Sequence, residues 1–281
     1  MRFSTSTFSD RNSHKLVHIA IMSTWNDQII RNNIRTSWLK FEGNYSYTFI
    51  VGQPQHDSTT TSVINANKKG LTQLNKEMKR YNDILMGNFI DSYYNLTRKA
   101  VTMLSLRNKA DYLFKADTDT YVNIPHLLRY IKMKRDTIVE YAGRLVKTLY
   151  PDRDSKARWY MPYTSWPNNS SYPEFAQGQG YLIKSSLANC MSKVVADDWP
   201  DSRLDFPLED VFVGILANKC KAKTHHLVTL AQYVKIHDVN RNTNVESAWL
   251  ANVPGDVYKY WIFAHRLNEA QILTKLLERS V

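Results

Sequence analysis

The sequence of 281 residues lacks any long hydrophobic run, which argues against a membrane-spanning helix. Crossing a bilayer takes roughly 18 consecutive apolar residues, whereas apolar runs such as LVHIAIM at 16–22 are far shorter. The start, MRFSTSTFSD, also lacks the apolar segment of a secretory signal peptide. We therefore expect either a cytosolic protein or one whose N-terminal anchor has been removed.

Cysteine is scarce, and its two positions leave the redox compartment open. Cys190 lies at or near the end of one predicted helix and Cys220 at the end of the next. The pair therefore either forms a disulfide or remains as two buried free thiols. A secretory origin is weakly indicated by four Asn-x-Ser/Thr sequons, at Asn44, Asn95, Asn168 and Asn169.

A polybasic tail is also absent, although the net charge is +11, from 37 basic and 26 acidic residues. The basic residues are spread along the chain, without an interleaved basic–aromatic motif or a recognised nucleic-acid-binding module. We therefore expect no nucleic-acid partner. A basic surface around an acidic metal site would suit an anionic, phosphate-bearing ligand, but a plain solvated surface explains the charge equally well.

Alternating apolar runs and helical periodicities predict an α/β protein. Residues 1–14 are expected to form a disordered tail, and 15–281 a single domain. Long polar stretches predict loops at 53–70 and 147–174, the second rich in aromatic residues and therefore expected to be functional. Strands are predicted at 16–22, 47–52, 112–117, 141–146, from Gly178 and around 225–230. Helices are predicted at 27–39, 71–81, 94–108, 124–134, 185–195, from Glu209 and at 263–278.

The chain is organised around YLFKADTDTYVN at 112–123, where an apolar strand runs into Asp117 and Asp119. Open α/β sheets bind ligands at the carboxyl ends of their strands. If the strand continues through Thr118, both carboxylates face one site, and their repulsion favours a hard cation such as Mg²⁺ or Mn²⁺. The triplet is also a good turn sequence, and Asp119 could simply cap a helix.

Other candidate residues are ambiguous when taken singly. An arginine pair on a helix is usually a solvated face, Gly-x-Gly is mostly a turn, an acidic pair opening a helix suits the helix dipole, and a lone histidine is usually structural. In the same order, these features are the arginine pair Arg31 and Arg35, the glycines Gly178 and Gly180, the acidic pair Glu209 and Asp210, and the histidine His237.

Longer stretches of the chain carry more information than these single residues. They are RNNIRTSW at 31–38, FIVG at 49–52, Glu77 ahead of YNDILMGNFIDSYYNLTRKA at 81–100, FKADTDTYVN at 114–123, RWYMPYTSWPNNSSYPEFAQGQGYLI at 158–183 and LEDVFVG at 208–214. Taken together, these stretches resemble glycosyltransferase family 31, which contains β-1,3-galactosyltransferases, β-1,3-N-acetylglucosaminyltransferases and Fringe. They cover most of residues 16–240 in the family's order. The resemblance implies a GT-A fold, a single Rossmann-like α/β domain with a mixed central sheet.

The resemblance implies an inverting enzyme that moves a hexose from a UDP-sugar donor, UDP-galactose first, to a sugar hydroxyl in β-1,3 linkage. The acceptor would be a glycan on a glycoprotein or glycolipid in the Golgi lumen. Contact with the membrane would come only through an anchor absent from this chain. The alternatives are a β-1,3-N-acetylglucosaminyltransferase using UDP-GlcNAc and a non-catalytic glycan-binding member of the family.

The resemblance also implies a Mn²⁺ site. Asp119 and His237 match its ligands, and Asp117 matches a residue that supports the metal shell or the ribose. Thr118 stands where many members have Asp, but the metal ligand is kept. The stretch EFAQGQGY at 174–181 departs from commoner family versions, which leaves the choice of donor and acceptor open.

Asp210 matches the general base of the family, with Glu209 as its competitor. Neighbouring side chains at a helix start point about 100° apart, so both cannot face the acceptor equally. The helix N-terminus should lower the pKa of either carboxyl and the neighbouring carboxylate should raise it. The residues matched to the donor site are Arg31, Arg35, Asp117, Asp119, Gly178 and Gly180.

Overall fold

A mixed sheet of seven strands forms the centre of the computed structural model, which describes residues 14–55, 61–134, 139–199, 204–227 and 263–265. The strands are β1 (Lys15–Met22), β2 (Tyr45–Gln53), β3 (Ile84–Ile90), β4 (Ala110–Asp117), β5 (Thr120–Val122), β6 (Tyr141–Val146), β7 (Phe175–Lys184), β8 (Thr224–His226) and β9 (Phe263–His265). The helices are α1 (Gln28–Thr36), α2 (Thr61–Tyr81), α3 (Leu96–Leu104), α4 (Ile124–Met133), α5 (Ser185–Asp198) and α6 (Glu209–Lys219).

The strand order of the large sheet is β3-β2-β1-β4-β7-β6-β8, and β5 pairs separately with β9. From β1 the chain moves outwards through β2 to β3, then returns to place β4 on the other side of β1. These four strands are parallel, whereas β7 runs antiparallel to both β4 and β6. Because the chain first leaves β1 toward β2 and later places β4 on the opposite side of β1, a topological switch point lies between the carboxyl ends of β1 and β4. The α/β class with a mixed sheet is confirmed.

The sheet is buried on both faces, which explains why β1 is an apolar run rather than an alternating pattern. In β1, Ile19 and Ile21 pack in the layer of α1, α2 and α4, whereas Ala20 and Met22 pack in the layer of α3, α5 and α6. The helices, together with the short 3-10 turn Trp38–Lys40 after α1, contribute a few large apolar side chains to these two layers: Ile34, Trp38, Leu74 and Leu127 on one face, and Met103, Met191 and Phe212 on the other.

Cys190 in α5 and Cys220 at the end of α6 form a disulfide. The bridge closes a loop with a sequence separation of 30 residues and joins two helices that both pack on the second layer of the core. Of the two alternatives left by the sequence, the disulfide is confirmed and the pair of free thiols is wrong.

Two predictions of local structure are wrong in part. The predicted loop at 53–70 contains the first turns of α2, which starts at Thr61. Phe263–His265 are a strand paired with β5, not the start of a helix, because pairing with a distant segment overrides local periodicity.

The remainder of that predicted helix, residues 1–13 of the predicted tail at 1–14, and His237 lie outside the described residues. Within the described ranges, the helices are all too short or too polar to cross a membrane.

Candidate functional site

The acidic stretch after β4 lies at the switch point of the sheet. Asp117 is the last residue of β4, and Thr118 and Asp119 form the turn that leads into β5. The strand therefore ends before Thr118, so the extended geometry that would align the two carboxylates is not present. Nor does Asp119 cap the next helix, because Asn123 is the N-cap of α4 and accepts a hydrogen bond from the backbone N–H of His126.

Lys115 is a buried cation at the centre of the site and was missed by the sequence analysis. Its Nζ donates to Asp117 Oδ1 at 2.7 Å and to the carbonyl of Gly178, and lies 3.6 Å from Glu209 Oε2. Burial lowers the pKa of Lys115, but the carboxylates of Asp117 and Glu209 outweigh it and the pKa is raised. A single lysine inside the apolar strand sequence LFKAD was the signal that could have identified it.

Glu209, the first residue of α6, is buried and fixed by its neighbours. Its Oε1 accepts a hydrogen bond from the hydroxyl of Tyr181, and its Oε2 faces Lys115. Burial raises the pKa of Glu209 to about 7, with Lys115 opposing the shift and Asp210 adding to it. The neighbouring carboxylate thus acts in the direction that the sequence predicted, but burial, which the sequence did not reveal, is the larger cause.

Asp210 is half-buried, and backbone N–H groups orient its carboxylate. Oδ2 accepts from Gly178 at 3.1 Å, and Oδ1 accepts from Val211 at 2.9 Å. Burial raises the pKa of Asp210 against the lowering effect of these N–H groups and of Lys115. A half-buried, oriented carboxylate of raised pKa has the properties of a general base.

The two predicted glycines belong to β7, which lines the same cluster. A Cβ on Gly178 would lie 3.5 Å from Glu209 Oε2 and 3.7 Å from Asp210 Oδ2, so this backbone position faces both carboxylates. Gly180 pairs with Ala116 of β4. The structure thus brings together Asp117, Gly178, Glu209 and Asp210, with Lys115 between them.

Arg31 and Arg35 are buried, so their interpretation as a solvated helix face is wrong. Arg31 forms an ion pair with Glu77 at 2.7 Å. Arg35 pairs with Glu77 and with Asp83, each at 2.7 Å, and packs on the ring of Tyr81. A role for either arginine at the donor nucleotide stays a prediction.

Asp117 and Asp119 supply the oxygen donors that hard divalent cations prefer, so the donor set fits Mn²⁺. Lys115 already neutralises Asp117, which favours Asp119 as the direct ligand. In the ranges that the structure describes, there is no group of three or more His, Cys, Asp or Glu side chains that could hold a metal. The predicted third ligand, His237, lies outside those ranges.

The segment 147–174 has neither helix nor strand, as predicted, and Arg153 holds it together. Its guanidinium donates to the carbonyls of Met161, Trp166 and Asn168 at 2.6–2.7 Å and packs 4.0 Å from the ring centre of Tyr163. Trp159 and Tyr163 are more than half exposed. The segment runs directly into β7, so it adjoins the cluster.

Comparison with known proteins gives a consistent result. The profile of the family described as Galactosyltransferase matches residues 30–228. β-1,3-Galactosyltransferase 4 of Mus musculus is 30% identical over 236 residues, covering 72% of this chain and 59% of the relative. Lactosylceramide 1,3-N-acetyl-β-D-glucosaminyltransferase of Homo sapiens is 31% identical over 213 residues, 67% and 50% of the two chains. β-1,3-Galactosyltransferase 1 of Mus musculus is 30% identical over 207 residues, 71% and 55%.

Proposed function

The chain belongs to the galactosyltransferase family, and from this premise we propose that it is an inverting glycosyltransferase that joins a sugar to a glycan hydroxyl in β-1,3 linkage. Its mixed sheet and flanking helices agree with a GT-A-like fold. The chain spans only 50–59% of the length of the three relatives compared, so activity, substrates and partners are proposals. The observation that carries the proposal is the cluster in which Lys115 joins Asp117 to the Glu209–Asp210 pair.

Asp210 is the proposed general base. As the acceptor hydroxyl attacks the anomeric carbon, the Asp210 carboxylate takes the hydroxyl proton and the bond to the nucleotide diphosphate breaks. Attack on the face opposite the leaving group converts an α-linked UDP-sugar into a β product. General-base catalysis of this kind typically contributes a factor of about 10² to 10⁴.

The leaving group needs charge neutralisation, and the chain offers ligands for a metal that would supply it. Asp119, with Asp117 and His237, would hold Mn²⁺, which when bound offsets the charge of the departing diphosphate. Lys115 has a separate role, because it balances Asp117 and Glu209 inside the protein and so leaves Asp210 as the carboxylate available to the acceptor.

UDP-galactose is the proposed donor, and UDP-GlcNAc is the alternative. Two of the relatives compared are named as galactosyltransferases and one as an N-acetylglucosaminyltransferase. The proposed location is the Golgi lumen, which the disulfide supports because such bridges persist in oxidising compartments. Attachment to the membrane would require an anchor in addition to the helices described.

A UDP-release assay across a donor panel, with and without Mn²⁺, tests the proposal. We expect turnover with UDP-galactose and a glycan acceptor, loss of turnover in excess chelator, and inactivity of Asp119→Ala. Asp111→Ala is the matched control, because Asp111 lies at the opposite end of β4 and contacts His14. Undiminished turnover in chelator would overturn the metal assignment. Glycan binding without UDP release from any donor would indicate the non-catalytic alternative.

A further inference from the structure

The segment Ser23–Trp25 follows β1 directly and lies at the switch point opposite the acidic turn. Met22, the last residue of β1, is paired with Asp117, the last residue of β4. The chain segments that follow these two strands therefore form the two sides of one crevice. If Asp119 and the metal occupy one side, Ser23–Trp25 is the other wall of the donor site.

Arg31 on α1 fixes this segment by hydrogen bonds. Its Nη1 donates to Ser23 Oγ at 3.1 Å and to the carbonyl of Thr24, and its Nη2 donates to the carbonyl of Trp25 at 3.5 Å. Nε also donates to Glu77 Oε1 at 2.9 Å, and Nη2 donates to Glu77 Oε2 at 2.7 Å. All five N–H groups of the guanidinium are thus engaged, and the side chain is fully buried. Arg31 has no donor left for a phosphate.

A second buried ion pair holds the same segment from α3. Lys99 Nζ donates to the carbonyl of Ser23 at 2.5 Å and to Asp91 Oδ1 at 2.6 Å. Asp91 Oδ2 accepts from the backbone N–H groups of Trp25 and Gly52, both at 2.9 Å. Lys99 and Asp91 are both almost completely buried. Two cations from different helices therefore contact the carbonyls of three consecutive residues.

We propose that Arg31 and Lys99 are positioning residues for the nucleotide of the donor. They act through the backbone of Ser23–Trp25, which they hold in the conformation that binds the nucleotide, and neither contacts the phosphates. Holding the wall rigid before the donor arrives removes an ordering cost from binding. This inference rests on the proposed function, since it assumes that the crevice takes a UDP-sugar.

The first test is Arg31→Lys. A lysine keeps the charge opposite Glu77, but a single ammonium cannot reach all the loop acceptors as the planar guanidinium does. We expect amide exchange at Trp25, measured by hydrogen–deuterium exchange, to accelerate about tenfold or more. The dissociation constant for UDP, and KM for the UDP-sugar, should rise by a similar factor while kcat changes less. Arg98→Lys is the control, because Arg98 is on α3 beside Lys99 but pairs with the exposed Asp205.

A second variant tests the same role in case Arg31→Lys does not fold. Lys99→Met combined with Asp91→Asn removes both charges together, so no buried charge is left alone, and the asparagine carbonyl still accepts from Trp25 and Gly52. The Lys99–Asp91 ion pair is removed, and of the contacts to Ser23–Trp25 the bond from Lys99 to the Ser23 carbonyl is lost. The same increase in loop exchange and in the UDP dissociation constant is expected.

The possible outcomes distinguish failure of the positioning role from failure of the proposed function. If the wild-type protein binds UDP, and either variant accelerates amide exchange in Ser23–Trp25 while binding UDP as tightly as wild type, the positioning role is wrong. Unchanged loop exchange in both variants would also overturn it. If the wild-type protein fails to bind UDP or any UDP-sugar, the proposed function fails, and this inference fails with it.

Discussion

The hydroxyl of Tyr181 donates a hydrogen bond to Glu209, and this contact separates the roles of two adjacent carboxylates. Glu209 is enclosed between Tyr181 and Lys115 and is almost fully buried, whereas Asp210 is half-buried and accepts hydrogen bonds from backbone N–H groups. A group that must approach an acceptor hydroxyl needs access as well as basicity. This geometry supports the proposal that Asp210 is the base and that Glu209 has a supporting role.

Asp210→Asn should reduce kcat by about 10² to 10⁴ with UDP binding almost unchanged. Asparagine keeps the shape and still accepts from Gly178 or Val211, but it cannot take a proton. Steady-state kinetics with UDP-galactose, together with a binding isotherm for UDP, would measure both effects. Glu209→Gln is the matched variant and should be milder. If Asp210→Asn retains near wild-type kcat while Glu209→Gln does not, Glu209 is the base.

Lys115→Met should lower the free energy of unfolding by about 3 kcal/mol or more, because it leaves buried carboxylates without their cation. Glu209 relieves part of this cost by taking up a proton, since its pKa is already raised to about 7. Adding Glu209→Gln to Lys115→Met should therefore recover part of the lost stability. Urea denaturation of the two single variants and the double variant measures this coupling. Simple additivity of the two single effects would contradict it.

Replacing both Cys190 and Cys220 by serine should lower the free energy of unfolding by about 3 kcal/mol, because the bridge no longer restricts the unfolded chain. The measurement is urea denaturation with and without reductant. Reductant should destabilise the wild-type protein and leave the double serine variant unchanged. Equal stability of the oxidised wild-type protein and the double variant would show that the bridge adds nothing to folding.

The sequence predicted what depends on local pattern and failed where a distant partner decides. Buried strands such as 16–22 were recognisable because apolar runs of that length are typical of α/β sheets. The first half of α2 was missed because few of its residues are apolar and Val63 and Ile64 are exposed. The strand Phe263–His265 was missed because only its pairing with β5 makes it a strand.

The same limit applies to the site. That Asp117, Gly178 and Asp210 belong to one site could be predicted because the family's motifs keep their order along the chain, and the structure places these residues close together. The buried state of Arg31 could not, because it depends on Glu77, which lies 46 residues away. Lys115 was overlooked because only the fold shows which carboxylates this lone strand lysine faces.

His18 makes stability depend on pH in a predictable direction. It lies in the central strand β1, almost fully buried, with Nδ1 2.7 Å from Ser46 Oγ. Within the described residues, Nε2 has no hydrogen-bond partner. Burial, reinforced by the charge of Lys109, lowers the pKa of His18 from 6.5 to about 3.

Between these two pKa values the unfolded chain binds a proton at His18 and the folded protein does not, so stability falls as pH falls. The slope approaches about 1.4 kcal/mol per pH unit, which gives a loss of roughly 2 kcal/mol between pH 7 and pH 5. In His18→Gln this contribution is absent. The wild-type free energy of unfolding, measured by urea denaturation, should therefore drop between pH 7 and pH 5 by about 2 kcal/mol more than that of the variant. Parallel pH profiles for the two proteins would show that His18 accepts a proton in the folded state as readily as in the unfolded chain.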